Sequence, residues 1–449
     1  MFCKAMVGAC MLFSMVSCAA QSLSEAAQVK PDAATYRRLA NEVDDALQHH
    51  VLAQWYPRSI DKEHGGFHAD FDRSWRWQPS EGKFSVFEGR MTWVAAQAVL
   101  HEPSQKEKYL PAVRQGVSFL KNVQWDKEKG GFFWGLDDEG KITPHFGDGK
   151  HLYGVAFGIY GAAAAYRATQ DPQALELAKQ GFLWADEHGH DSLNGGYFES
   201  LDREGRPLPP RIVAGHVEEN VIGPIGFKSM NTHIHLMEAY TELYQVWPDA
   251  RLRARLEELL AIVRDRICVA PGAMNLFFTD AWQPLPGHDS YGHDVETAYL
   301  MLETDAVLHG KASEKTEVMA KMLVDHALAY GWDEKNGGMV REGGSYTPQE
   351  DLLKEWWVQC EDLNALLMMH ERYGQSSPVY FKRFVQQWEF IKAHTIDGVQ
   401  GGLFNLTEAD GRPIKDAKGS IWKGAYHDSR AFWNVRERLR KLAADGEPR

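Results

Sequence analysis

Cysteine is nearly missing from the body of this chain. Cys3, Cys10 and Cys18 fall at the very start, which leaves only Cys268 and Cys360. Two such distant residues cannot build a disulfide scaffold, and no CxxC or other zinc-type cysteine spacing exists. Long apolar runs are also lacking. Beyond the first twenty or so residues none reaches the length of about 20 needed to span a bilayer. Positive charge is in short supply too. A net charge of -13 argues against a polyanion-binding surface, so nucleic acid is not an expected partner.

The first segment reads as an export signal over residues 1–20. Lys4 supplies a thin positive start, Ala5 to Met15 is mostly apolar, and small residues follow from Ser17 to Ala20. Met15-Val16-Ser17-Cys18 resembles a lipoprotein cleavage box, with Met where Leu is commoner. Cys18 is thus a candidate lipid anchor, and cleavage near Ala20 is the alternative. The expected location is periplasmic or membrane-anchored, with residues 21–449 as one catalytic domain.

What the chain does have is aromatic rings and a repeat. Aromatic residues make up 12%, with 15 Trp. Such rings serve a core, and they also serve a sugar site, where flat faces pack on pyranose C–H edges. A Gly-Gly-apolar turn recurs as DKEHGGF from Asp61, DKEKGGF from Asp126, DSLNGGY from Asp191, DEKNGGM from Asp333 and GGLF from Gly401. Spacings of about 65 residues, with one double gap filled by a degenerate Gly272-Ala273-Met274, make six units of a repeat architecture.

Each unit holds two amphipathic helical patterns. The first members run over about 34–51, 107–124, 173–188, 250–267, 314–331 and 379–394. The second run over about 90–102, 151–169, 231–246, 293–309, 355–374 and 426–441. Twelve helices in six pairs with short Gly-rich links close into an all-α (α/α)6 barrel, one set inside and one outside. An open solenoid is the alternative and would need polar end caps.

The second helices open with unusual groups: Arg90 and Trp93; His151, Tyr153 and Phe157; Asn231 and His235; His293 and Glu296; Trp357 and Glu361; Trp422 before Tyr426 and His427. If these helices form the inner ring, their N-terminal ends line one mouth and lend it positive potential. Segments 201–228 and 278–291 are its candidate rims. In Ser290-Tyr291-Gly292-His293-Asp294-Val295-Glu296, His293 and Glu296 share a helix face, so the carboxylate is expected to orient the imidazole. His233 and His235, two apart, diverge and cannot grip one ion. His235 is the pocket candidate and His233 a structural one. Trp357 shares its face with Glu361, which leaves Trp356 for packing.

Together HLYGVAF (151–157), MNTHIHLMEAYTELY (230–244), SYGHDVE (290–296), WWVQCE (356–361) and WKGAYHDSR (422–430) resemble the N-acylglucosamine 2-epimerase family, within it most closely the cellobiose 2-epimerases. The resemblance spans about 36–440 and implies an (α/α)6 barrel. It further implies three catalytic histidines, His235, His293 and His427, with Arg90, Tyr153, Asn231, Glu296, Trp357, Glu361 and Trp422 around the sugar. Ala425, Asp428 and Ser429 depart from the usual Pro, Asn and Gly.

The implied reaction is C2 epimerisation of the reducing-end sugar of a β-1,4-linked disaccharide through a cis-enediolate. His293 and His427 would flank C2, His235 would assist ring opening, and Arg90 would stabilise the enediolate. Trp357 and Trp422 would stack on sugar rings. No cofactor and no metal are expected, and the chain is expected to be a monomer or weak dimer. The rival readings are an aldose–ketose isomerase acting on mannose, an N-acylglucosamine 2-epimerase, a glycoside hydrolase using Glu296 and Glu361, and a non-enzymatic glycan-binding lipoprotein.

Overall fold

The computed structural model describes residues 29–445 apart from 80, 215, 348–350 and 416. The expected export signal and Cys18 lie outside the described residues. Twelve long helices alternate between two sets. The first set is α1 (Ala33–Ala46), α3 (Lys106–Phe119), α5 (Pro172–Trp184), α7 (Ala250–Ile262), α9 (Glu314–Tyr330) and α11 (Val379–Phe390). The second is α2 (Ser85–His101), α4 (Leu152–Thr169), α6 (Met230–Tyr244), α8 (Tyr291–His309), α10 (Trp356–Tyr373) and α12 (Tyr426–Asp445). All lie within a few residues of the ranges expected from periodicity.

The second set forms the inner ring. Each of its helices packs on the next, and α12 returns to α2, so the circle closes. An inner helix meets neighbours on every side, and α4 is accordingly buried along almost its whole length, from Leu152 to Ala165. The outer helices carry one apolar stripe. In α1 this is Tyr36, Leu39, Ala40, Val43 and Ala46. Side chains just ahead of several helices take up their free N–H groups: Asp32 accepts from Thr35, Asp249 from Arg251 and Leu252, and Ser229 from Thr232.

A short antiparallel rung joins each repeat to the next. Lys83–Phe84 pairs with Gly135–Leu136, Lys150–His151 with Ser200–Leu201, Lys228–Ser229 with Phe277–Phe278, and Lys354–Glu355 with Leu406–Thr407. Single bridges Asp289–Gly343 and Gly419–Phe71 complete the circuit, the latter linking the last repeat to the first.

A second repeated device was not visible in the one-dimensional pattern. In five repeats the Asp of the Gly-Gly turn accepts an ion pair from a buried lysine shortly before the inner helix. The pairs are Lys83–Asp61 (2.7 Å), Lys150–Asp126 (2.9 Å), Lys228–Asp191 (2.7 Å), Lys354–Asp333 (2.9 Å) and Lys418–Asp397 (2.9 Å). The same Asp caps its own turn through two backbone N–H groups, for example those of Leu193 and Asn194. The turn needs glycine because both residues sit at positive φ, as at Gly195 (77°) and Gly196 (73°). A Cβ at Gly196 would also meet the Trp282 and His233 rings within 2.7 Å. Each staple therefore fixes where an inner helix begins.

Candidate active site

The first turns of the inner helices converge on a cavity of about 210 Å³. It is lined by Arg90 from α2, Tyr153 from α4, Asn231 and His235 from α6, His293 and Glu296 from α8, Trp356 and Trp357 from α10, and Trp422 and His427 at the start of α12, together with Glu355. Nine of the ten residues expected around the sugar thus meet in one place. The tenth, Glu361, lies behind the wall and holds His427 from the far side.

Two of the three histidines lean on glutamates. His427 Nδ1 is 2.8 Å from Glu361 Oε1, and His235 Nδ1 is 2.9 Å from Glu238 Oε2. With Nδ1–H donating to a carboxylate, Nε2 is left unprotonated and free to take a proton. His293 differs. Its Nδ1 lies 2.7 Å from Ser290 Oγ, and not on Glu296 as the shared helix face had suggested. The reason is a stronger competitor: Glu296 Oε1 bonds the Arg430 guanidinium and stands 3.8 Å from His427 Nδ1. A hydroxyl can donate or accept, so His293 can adopt either neutral tautomer.

Arg430 is the hub under the cavity. Buried in α12, it binds Glu238 (2.5 Å), Glu361 (2.6 Å), Glu296 and the Tyr426 hydroxyl. One guanidinium fork thus holds in register the glutamates that orient His235 and His427. Burial works against the Glu238 carboxylate, but Arg430 and His235 overcome it and hold the group down at about 2. Burial wins at Glu361, which is raised despite the same arginine. It also lowers His293 to about 4 and His427 well below its ordinary value, against the opposing charge of Glu296. Burial thus favours the neutral form of both imidazoles.

Aromatic rings complete the walls. Trp357 lies between two histidines, 4.8 Å from the His293 ring and 5.4 Å from that of His427. Trp422 packs on Phe84 at 4.8 Å and stands 6.3 Å from both Trp134 and Tyr153. Trp356, expected to be pure packing, also lines the cavity, because it begins α10 where the chain is still turning into the helix. Arg90 is set by a 3.0 Å bond to the Tyr153 hydroxyl and by the Phe157 and Tyr426 faces at 4.4 and 4.8 Å. His233, as expected, serves structure. It accepts from Tyr197 N–H at 2.9 Å and donates to Ser229 O at 2.7 Å, outside the cavity. Of the expected rims, Pro207, Pro210 and Phe227 line a different cavity together with Thr279 and Asp280.

A family model of N-acylglucosamine 2-epimerases matches residues 65–431. The chain belongs to the N-acylglucosamine 2-epimerase family. Within it, the chain is 31% identical over 395 residues to a cellobiose 2-epimerase of Bacteroides fragilis, covering 87% of this chain and 97% of that one. A D-mannose isomerase of Marinomonas mediterranea is 22% identical, covering 88% and 97%. The structure of cellobiose 2-epimerase from Spirochaeta thermophila superposes with a TM-score of 0.80 at 30% identity, over 91% of this chain and 98% of that one.

Arg430 and Glu238 are the residues of the site that the sequence reading passed over, while Ser290 and Tyr426 had been named there without a role. Arg430 and Tyr426 stand inside the quoted WKGAYHDSR stretch, and Glu238 falls three residues after His235, the same spacing that had drawn attention to His293 and Glu296. Asp428, where the family usually has Asn, is buried beside Lys423. Burial raises the acid and lowers the amine, and each charge offsets the other.

Proposed function

We propose that this protein inverts C2 of the reducing-end sugar of a β-1,4-linked disaccharide of the cellobiose or mannobiose type. The observation that carries the reading is the convergence of His235, His293 and His427 on one aromatic-walled cavity, two of them held through Nδ1 so that Nε2 is free. Opening the sugar ring transfers a proton from O1 to the ring oxygen and exposes an aldehyde. His235, beside Tyr153 at 5.2 Å and Phe157 at 4.9 Å, is assigned to that step. One of His293 and His427 then removes the C2 proton, leaving a cis-enediolate whose charge Arg90 stabilises.

That anion raises the proton affinity of both imidazoles, offsetting the effect of burial. The first histidine is stabilised as it takes the C2 proton. The second, charged from solvent, returns a proton to the opposite face of C2, and the roles exchange with direction. Trp357 and Trp422 stack on the sugar rings. Glu296 and Glu361 both grip Nη2 of Arg430, so they sit on one side of the cavity and cannot flank a scissile bond as hydrolase carboxylates do.

Incubation with cellobiose, mannobiose, mannose and N-acetylglucosamine, followed by sugar chromatography, tests the assignment. The expected products are the C2 epimers of the disaccharides, with a higher kcat/KM than for mannose. Fructose from mannose as the dominant product would move the reaction to aldose–ketose isomerisation. Export through residues 1–20 with lipid on Cys18 is part of the same proposal. Palmitate labelling that is abolished by Cys18→Ala tests it.

A further inference from the structure

Among the described residues, five of the six repeats are stapled by a buried lysine and the turn aspartate. The fourth, which carries His293, is not. Asp289 occupies the place of the lysine: it precedes α8 as Lys83, Lys150, Lys228 and Lys354 precede their helices, and it makes the equivalent rung, to Gly343. The turn has lost its aspartate and half of its Gly-Gly pair, reading Cys268-Val269-Ala270-Pro271-Gly272-Ala273.

In place of the staple stands a different cluster. Asp289, Asp294 and His326 are buried, and their donor atoms lie within 4.8 Å of one another. His326 Nδ1 is 3.4 Å from Asp289 Oδ2 and 3.8 Å from Asp294 Oδ2. Among the described residues, neither carboxylate has a lysine or arginine ion-pair partner. The other nitrogen of His326 donates to Ser345 O at 2.7 Å, so its proton is committed and Nδ1 faces the acids.

Two carboxylates sealed from water beside one imidazole cannot all carry full charge, and sharing a proton removes the conflict. Burial raises both acids, as such sharing requires, while the N–H groups of Met274 and Ser290 assist Asp289. Cys268, facing Asp294, and Tyr291, facing both acids, are further titratable groups beside the cluster.

The cluster grips the turn that aims His293. Asp289 and Asp294 bracket Ser290 and His293, and Asp294 N–H donates to Ser290 O at 3.0 Å. The loop beside it is pinned three times: Gly343 to Asp289 through two backbone bonds, Gly344 O to the Tyr291 hydroxyl at 3.1 Å, and Ser345 O to His326. His235 and His427 are held by glutamates tied to Arg430. Among the described residues the His293 ring is hydrogen-bonded to Ser290 alone, so its aim depends on where this turn is held.

We propose that Asp289, Asp294 and His326 are positioning residues for proton transfer: a buried proton-sharing cluster that replaces the lysine staple in the fourth repeat and fixes the angle of the Ser290–His293 turn. The proposal rests on His293 and His427 serving opposite faces of C2. Its test compares two rates in D2O, epimerisation and deuterium entry at C2 without inversion. An enzyme whose His293 is misaimed still lets His427 remove and return the proton of one epimer. In Asp294→Asn and His326→Gln, epimerisation should fall at least tenfold at unchanged KM while deuterium enters that epimer at a rate much closer to wild type.

A structural lesion in a stapled repeat, Lys150→Met, should lower Tm yet keep the two rates in step. His293→Asn and His427→Asn are the controls for the reading beneath. They should block opposite epimers, and if neither separates exchange from epimerisation, the two-histidine assignment itself fails. If they do separate the rates but Asp294→Asn and His326→Gln keep them in proportion, the positioning role is overturned. One equivalent of divalent metal in the purified protein, lost in His326→Gln, would overturn proton sharing in favour of a cation.

Discussion

The five stapled repeats and the fourth solve one problem in two ways. Each must stop a buried inner helix from sliding at its first turn. Lys228 does so by reaching back to Asp191 and two carbonyls, those of Gly195 and Asp280. This is a strong attachment with no role in the chemistry. The fourth repeat gives up the lysine and holds its helix with two acids and His326 instead. The exception coincides with the histidine that lacks a glutamate. A repeat fold can thus keep most copies for stability and let one copy diverge where aim matters more.

The largest expected effect sharpens that contrast at the chemistry itself. His293→Asn and His427→Asn should each lower epimerisation by at least the ~10²–10⁴-fold typical of one acid/base group, with circular dichroism unchanged. A folded His427→Asn protein within tenfold of wild type would remove that residue from the mechanism.

Next comes stability in a stapled repeat. Lys228→Met leaves Asp191 buried without its counter-ion, which costs about 3–5 kcal/mol, readable by urea unfolding. Residual folded protein should keep its kcat. The same staple sets an acid limit. Burial works against the Asp191 carboxylate, but Lys228 and the N–H groups of Asn194 and Leu193 hold it at about 2, below the ~3.9 of an unfolded chain. A lowered folded value stabilises above pH ~4 and is lost as pH falls from there towards ~2. Unfolding followed against pH should show that slope, and Lys228→Met should flatten it.

The smallest effect is at the aromatic wall that the fifth repeat inserts between the fourth and sixth. Trp357→Ala should raise KM for cellobiose by roughly fivefold, an aromatic contact of about 1 kcal/mol, and change kcat for mannose less. Equal losses on both sugars would take Trp357 away from the second ring.

Much of this was legible in the chain. The helices were, because an outer stripe such as Tyr36, Leu39, Ala40 and Val43 repeats at the helical period, and the Gly-Gly turns mark each unit. Nine of the cavity's residues were also found, since they open the inner helices and helix starts in a closed ring converge. The partner of each histidine was harder. Spacing put Glu296 beside His293, but a carboxylate bonds the strongest donor within reach, and Arg430 lies 134 residues further along the chain. The staples escaped notice for a similar reason. Lysines placed 21 to 37 residues after an aspartate look like ordinary surface charge until folding buries both.

By itself the sequence determined the number of repeats and the two helix sets, while closure into a ring was an expectation with an open solenoid as its alternative and the three histidines were implied by the family resemblance. The repeats and helix sets follow from local periodicity and turn chemistry, which act over a few residues. Only the tertiary structure decided which acid serves which base: Glu361 for His427, Glu238 for His235, Ser290 for His293, and His326 against Asp289 and Asp294. Those choices are made by short-range hydrogen bonds and burial among atoms that come together only when the ring closes.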